Sequence, residues 1–274
     1  MTVLALDALA ALVPDGALLA LPPDDSLTPS ALVRALIRRN VRQLRLVGVP
    51  TAGLGVDLLV GAGCVASVET SAASLGEAGT APRFAAAVKA GTLRVIDATC
   101  PAIHTALQAA EKGVPFMPLR GVLGSDVLAH RPDWHVMANP FTVDDDPILV
   151  LPALQPDIAA FHAVCADEEG NVWVGRRREL ATMAHASRFS LVTVERMVSG
   201  NLLADERMAP GVISGVYVEA VAVARRGAWP GGVLDEYPAD RAHIMAYARE
   251  ARTEAGFAAY LARHVLNASA QDAA

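Results

Sequence analysis

Two short polar turns in a largely apolar chain hold the residue types that could do chemistry. The first is Glu69-Thr70-Ser71-Ala72-Ala73-Ser74-Leu75-Gly76-Glu77, with hydroxyl groups at 70, 71 and 74. Hydroxyls aimed into a site donate hydrogen bonds to a carbonyl or carboxylate. The same stretch fits helix capping, because Ser74 and Glu77 have the capping-box spacing, and the residues alone leave both readings open. The second turn lies within Gly113 to Phe141, where Val114-Pro115-Phe116-Met117-Pro118-Leu119 leads into Arg120 and then Gly121-Val122-Leu123-Gly124-Ser125-Asp126. Buried strands that end in glycine-rich polar turns are where open α/β sheets hold ligands. An arginine after such a strand needs a counter-charge, here Asp97 or Asp126, or else a substrate carboxylate, since an unpaired buried cation is costly. Ser71, Ser74, Arg120, Gly124 and Ser125 are therefore the candidate substrate-binding residues.

Other constellations are weaker. Gly61-Ala62-Gly63, flanked by Val56–Val60 and Val65–Glu69, lacks the third glycine of a dinucleotide fingerprint and is followed by a strand pattern, so it reads as a tight turn between sheet elements. No G-x-S-x-G elbow, H-E-x-x-H pair or P-loop occurs. His130 and His135 flank Arg131-Pro132-Asp133-Trp134 and read as loop residues, while His162 reads as a satisfied core histidine. No metal site is expected. Arg176-Arg177-Arg178, with Glu179 beside it, reads as a solvated helix start in preference to a phosphate patch.

Hydrophobic periodicity supplies the elements that would position these residues. Strands are expected at Ala17–Leu21, Leu44–Val49, Val65–Glu69, Leu93–Asp97, Ile148–Leu151, Ile158–Val164, Phe189–Val194 and Val212–Val223. Helices are expected at Leu4–Val13, Pro29–Arg39 (capped by Ser26 or Thr28), Pro82–Ala90, Pro101–Lys112, Glu179–Ala186, Asp240–Arg252 and Thr253–Val265. Strands separated by helices of this length indicate an α/β fold with an open, mostly parallel sheet flanked by helices. With no repeat and no linker, residues 1–274 read as one domain, with 266–274 a frayed tail.

Composition narrows the class. At 274 residues with 53% hydrophobic and 19% charged residues, the chain has apolar surface to spare for a partner. A net charge of −6 argues against nucleic acid. Met1 to Ala20 lacks a basic n-region and is interrupted by Asp7 and Asp15, and no apolar run is long enough to cross a membrane. Three widely spaced cysteines (64, 100 and 165) fit a reducing compartment, and the expected location is cytoplasmic.

At this point the sequence resembles a known family. Asp57-Leu58-Leu59-Val60-Gly61-Ala62-Gly63, Pro82-Arg83-Phe84, Gly113 to Pro118, Gly124-Ser125-Asp126, Asn139-Pro140-Phe141, Val150-Leu151-Pro152-Ala153, His162-Ala163 with Gly170-Asn171, and Gly227-Ala228-Trp229-Pro230 are similar, in order, to the α subunits of family I CoA-transferases. The resemblance implies a CoA-transferase-like α/β subunit that pairs with a homologous β subunit, as α2β2 (a heterotetramer) or larger. It implies no tightly bound cofactor, a coenzyme A thioester as substrate, and CoA exchange between an acyl-CoA and a small carboxylic or dicarboxylic acid. The attacking glutamate would lie on the β subunit, leaving no catalytic residue here and a serine turn at Ser71 to Ser74 as pocket wall. Two departures stand out. The family's Gly-Gly loop after the first strand is replaced by Leu21-Pro22-Pro23-Asp24-Asp25, which cannot offer the same amide donors. Steroid-ring hydrolases of the same fold use an acidic residue where this chain has Thr99-Cys100-Pro101, which weakens the alternative of an acyl-CoA hydrolase or ring-opening subunit. The proline substitution also motivates a third reading, a non-catalytic ligand-binding subunit.

Overall fold

The computed structural model describes residues 2–143 and 145–267. Its first half runs β1 (Thr2–Leu4), α1 (Leu6–Ala11), β2 (Leu18–Leu21), α2 (Ser30–Arg38), β3 (Leu44–Gly48), α3 (Leu54–Gly61), β4 (Val65–Thr70), α4 (Pro82–Lys89), β5 (Arg94–Asp97) and α5 (Cys100–Glu111). There follow β6 (Phe116–Leu119), β7 (His135–Ala138), β8 (Pro147–Pro152), β9 (Ile158–Ala166), β10 (Val172–Trp173), α6 (Arg178–Ala186), β11 (Phe189–Met197), β12 (Val212–Ile213), β13 (Val218–Val223), α7 (Arg241–Glu250) and α8 (Glu254–Leu261). The expected frayed tail falls mostly, at 268–274, outside the described residues, and Leu266 closes a π-helical turn, Ala262–Leu266.

The main sheet has the order β1-β13-β11-β9-β2-β3-β4-β5, with every neighbouring pair parallel, and β10 and β12 add an antiparallel flap to β9. Alternation along each strand sorts side chains onto two faces. Leu19, Leu21, Leu44, Leu46, Ile158 and Leu191 pack with Leu32, Leu36, Leu59, Tyr247 and Phe257 on one side. Ala20, Val47, Ala159, Phe161, Val192 and Val194 pack with Ile103, Leu107, Leu180 and Met183 on the other. Strand order grows outward in two directions from the β2–β9 pair, so that pair is the topological switch point of the sheet.

Four local expectations are corrected. Val56–Val60 is not a sheet element but part of α3, so Gly61-Ala62-Gly63 joins a helix to a strand, and Gly63 supplies the positive φ of 71° that ends it. Val212–Val223 is broken by a 3-10 turn at Gly215–Tyr217, because Gly215 lies on the Glu169 carbonyl, where a Cβ would come within 2.4 Å. Neither Ser26 nor Thr28 caps α2: the Thr28 hydroxyl donates to the Pro23 carbonyl at 2.9 Å, and Ser26 donates to Glu179. The Phe116–Leu119 strand is not a buried member of the parallel sheet. It is an edge of a separate antiparallel sheet, β6-β8-β7, with Phe116 51% exposed. Pro115 and Pro118 lack the amide hydrogens that a central strand must donate on both sides, which confines this segment to an edge.

Candidate functional site

The carboxyl end of β2 opens into Pro22-Pro23-Asp24-Asp25-Ser26 at the switch point, and this loop organises the site. Both Asp24 oxygens accept the Leu54 amide hydrogen, at 2.9 and 2.8 Å, at the start of α3. Gly53 permits this approach, since a Cβ there would lie 2.3 Å from the carboxylate. Burial pushes the Asp24 carboxyl up to about 6, with the Leu54 amide pulling down and Asp25 and Asp57 adding to the rise. Asp57, itself fully buried, accepts the Phe84 amide and the Tyr247 hydroxyl, each at 2.6 Å, and ties α3 to α4 and α7.

Two cavities flank the loop. The larger, about 720 Å³, lies between Leu75 to Ala78, the 231–239 loop and α7, and its walls include Val233, Leu234, Ile244 and Met245. The smaller, about 450 Å³, lies between the loop, Pro50 and the facing sides of α5 and α6, and is lined by polar groups such as His104, Gln108 and Thr182. Asp25 and Arg177 border both. The arginine run expected to be a solvated helix start therefore stands partly at a cavity wall. Burial lowers the His104 pKa against the opposing charge of Glu179, which favours the neutral imidazole.

Below the loop, His162 is fully buried and bonded to Thr193 Oγ1 and Glu195 Oε1, each at 2.8 Å, as the core histidine expected from sequence. Glu195 also accepts the Tyr237 hydroxyl (2.8 Å) and the amides of Arg226 (2.7 Å) and Gly227 (3.2 Å). Burial opposes its ionisation, but these bonds prevail and hold its pKa below the ordinary carboxylate value. With its oxygens so occupied, this carboxylate fixes the 226–228 loop beside the site and is not a free nucleophile.

The candidate residues from sequence make separate sets of hydrogen bonds. The Ser71 hydroxyl donates to the Pro50 carbonyl at 2.8 Å and lies 3.1 Å from the exposed Cys100 Sγ, at the ends of β4 and β5. Ser74 accepts the Gly76 amide at 3.1 Å, a local turn bond and not a capping box to Glu77. Ser125 likewise caps a 3-10 turn through the Val127 amide at 3.3 Å, and Gly124 supplies a positive φ of 77° before it. Arg120 is 62% exposed along its side chain and forms a bidentate pair with Asp146, replacing both Asp97 and Asp126 as partner. Asp146 also accepts the Asn139 amide at 2.7 Å, so this pair staples the outer sheet together. Among the described residues no hydrogen bond joins Ser71 or Ser74 to Arg120, Gly124 or Ser125.

Arg131, unlike Arg120, is buried. It donates to Glu69 (2.8 Å), to the Asp97 carbonyl (3.0 Å) and through a fork to Asp133 (2.9 and 2.8 Å), and stacks 4.1 Å over Trp134. Two of its partners, Glu69 and Asp97, lie 62 and 34 residues away in the chain, where sequence pattern does not pair them. The only local signal was the Arg131–Asp133 spacing beside an aromatic residue.

These features define a class: a doubly wound α/β fold with an open crevice at the carboxyl edge of its sheet. The chain belongs to the Coenzyme A transferase family, whose model matches residues 3–224. One subunit of 3-oxoadipate CoA-transferase from Pseudomonas knackmussii is 29% identical over 92% of this chain and 89% of its own length. The IpdA subunit of a cholesterol ring-cleaving hydrolase from Rhodococcus jostii is 31% identical over 86% of this chain and 82% of its own. The chain spans about half, 52%, of an uncharacterised Archaeoglobus fulgidus protein that is 30% identical over 85% of this chain. In structure it is similar to glutaconate CoA-transferase from Acidaminococcus fermentans, with a TM-score of 0.90, 25% identity and coverage of 97% and 89% of the two chains. It is also similar to the AibA/AibB decarboxylase, with a TM-score of 0.82, 29% identity and coverage of 95% and 98%. No described helix is long and apolar enough to cross a membrane.

Proposed function

We propose that the chain is the α subunit of a heteromeric CoA-transferase, exchanging CoA between an acyl-CoA and a small carboxylic or dicarboxylic acid. The observation that carries this reading is the fit of 97% of the chain to glutaconate CoA-transferase at a TM-score of 0.90. A glutamate on the β partner attacks the thioester carbonyl and expels CoA thiolate, leaving an acyl anhydride. The thiolate then attacks the glutamyl carbonyl of that anhydride, which releases the free acid and leaves a glutamyl-CoA thioester. An acceptor carboxylate reverses the sequence and leaves as the new acyl-CoA.

This chain supplies walls and orientation. Ser71, Ser74, Arg120, Gly124 and Ser125 remain its proposed substrate-binding residues, with Ser71 favoured by its place at the strand edge beside Cys100. Residues 1–274 act as one domain in an α2β2 or larger cytoplasmic assembly, and exposed apolar side chains such as Phe141 (94%) and Leu234 (74%) support such pairing. The test is expression with and without the neighbouring β-type chain. Transfer of CoA to a free acid is expected only from the pair, and activity of the isolated chain would refute the division of labour. The alternative of an acyl-CoA hydrolase or ring-opening subunit is compatible with the name of one relative, the IpdA subunit of a cholesterol ring-cleaving hydrolase, which does not favour it over transfer. It predicts acyl-CoA consumption by the pair without any acceptor acid.

A further inference from the structure

We propose that the 450 Å³ cavity between α5 and α6 is the subsite for a second, distal carboxylate of the acyl substrate, held by Arg177 and Arg178 with Gln108 and Thr182 as directional donors. This rests on the acyl-CoA reading above and adds to it which acids the enzyme selects.

The cavity holds four donors that the fold itself leaves unused. The side chains of Arg177, Arg178, Gln108 and Thr182 line this cavity, and among the described residues they make no hydrogen bond or ion pair within the chain. Arginines elsewhere that reach a carboxylate are paired, as Arg83 is with Glu254, Arg131 with Glu69 and Arg196 with Glu236. Polar groups that converge on a cavity at a sheet's switch point mark a ligand subsite, and here exposed Arg177, Arg178 and Gln108 are free to turn to an anion. Guanidinium forks match a carboxylate in geometry as well as charge.

Position supports the same assignment. The cavity is walled by Pro50, whose carbonyl holds the Ser71 hydroxyl at 2.8 Å, so it adjoins the strand edge where the thioester end would react. Arg177 also faces the larger, apolar-walled cavity, so a hydrocarbon body there brings its far end to the guanidinium. Two carboxylates oppose an anion. Glu179 is engaged by the Ser26 hydroxyl, while Asp25 stands unpaired on the shared rim. Asp25 therefore sets a cost that Asp25→Asn should remove. CoA's own phosphates offer the same anionic chemistry, and the experiment separates the two sources.

The chain co-purified with its β partner is titrated with adipyl-CoA and hexanoyl-CoA, which share CoA and chain length and differ in the distal carboxylate. The wild-type complex is expected to prefer adipyl-CoA by about 10- to 100-fold, the range of one or two charge-assisted hydrogen bonds. Arg177→Gln combined with Arg178→Gln should bring the ratio close to one, the corresponding lysine pair should keep part of it, and Asp25→Asn should raise it. Equal affinities in the wild type, a preference that survives the double glutamine variant, or equal weakening of both ligands (the signature of phosphate contacts) would each overturn the assignment. CoA transfer to free acids is scored separately in the same samples. Its absence alongside an intact, Arg177-dependent preference refutes the transferase reading and leaves the subsite standing.

Discussion

Replacing Asp24 by asparagine should change how stability depends on pH, and the sign follows from where its carboxyl titrates. The folded chain holds the Asp24 proton up to about pH 6, against an ordinary value of 3.8. Between those values the folded state binds more protons than the unfolded state, so stability falls as pH rises. The fall begins near pH 4, is complete a little above pH 6, and the penalty persists at higher pH. The displacement corresponds to about 2–3 kcal/mol, allowing for water reaching this half-buried carboxylate. Asparagine still accepts the Leu54 amide hydrogen but carries no charge to desolvate. Carboxylates held below their ordinary values, such as Asp133, Asp167 and Glu195, pull the opposite way, their stabilisation growing with pH. The quantity to measure is therefore the difference between variant and wild type. Urea unfolding at fixed pH steps from 4 to 8 should show Asp24→Asn gaining about 2–3 kcal/mol on the wild type across pH 4 to 7. A difference that is flat over this interval, or that shrinks as pH rises, refutes the reasoning.

Two further outcomes test the framework around the site. Asp57→Ala leaves the buried Tyr247 hydroxyl and Phe84 amide without their acceptor and opens space between three helices, so a loss of about 3–5 kcal/mol is expected in denaturant unfolding. Asp57→Asn, which keeps an acceptor, should cost clearly less. Arg131→Ala strands the Glu69 carboxylate, which burial already pushes above its ordinary pKa against the pull of Arg131, and should cost about 3–5 kcal/mol. Adding Glu69→Gln should restore a large part of that loss, and a double variant no more stable than the single one would show that the pair is not the cause.

The strand and helix order was legible in the sequence because alternation with period two and helical spacing are local records of which face is buried. β2, β3, β5, β9 and β11 and all the major helices except α3 stand close to where periodicity places them. The parallel sheet then follows from helical crossovers, and the ordered motifs carried the family. α3 was missed because all but one of the described side chains from Leu54 to Val60 are apolar and every one is buried, so no polar face revealed its period.

The tertiary structure alone decided the site. Arg120 and Arg131 are both single arginines near a turn, yet the first pairs with Asp146 on the surface and the second is buried on Glu69. Only the Arg131–Asp133 spacing beside Trp134 separates them locally, and the remaining partners depend on which strand edges meet the outer sheet. Arg177 and Arg178 read as a solvated helix start, and only the folded chain sets them with the loop after β2 at cavity walls. Local patterning fixes a residue's own burial and backbone, whereas charge partners and cavity walls are set by pairings between segments far apart in the chain, such as Ser26 with Glu179, 153 residues away, and Asp57 with Tyr247, 190 residues away.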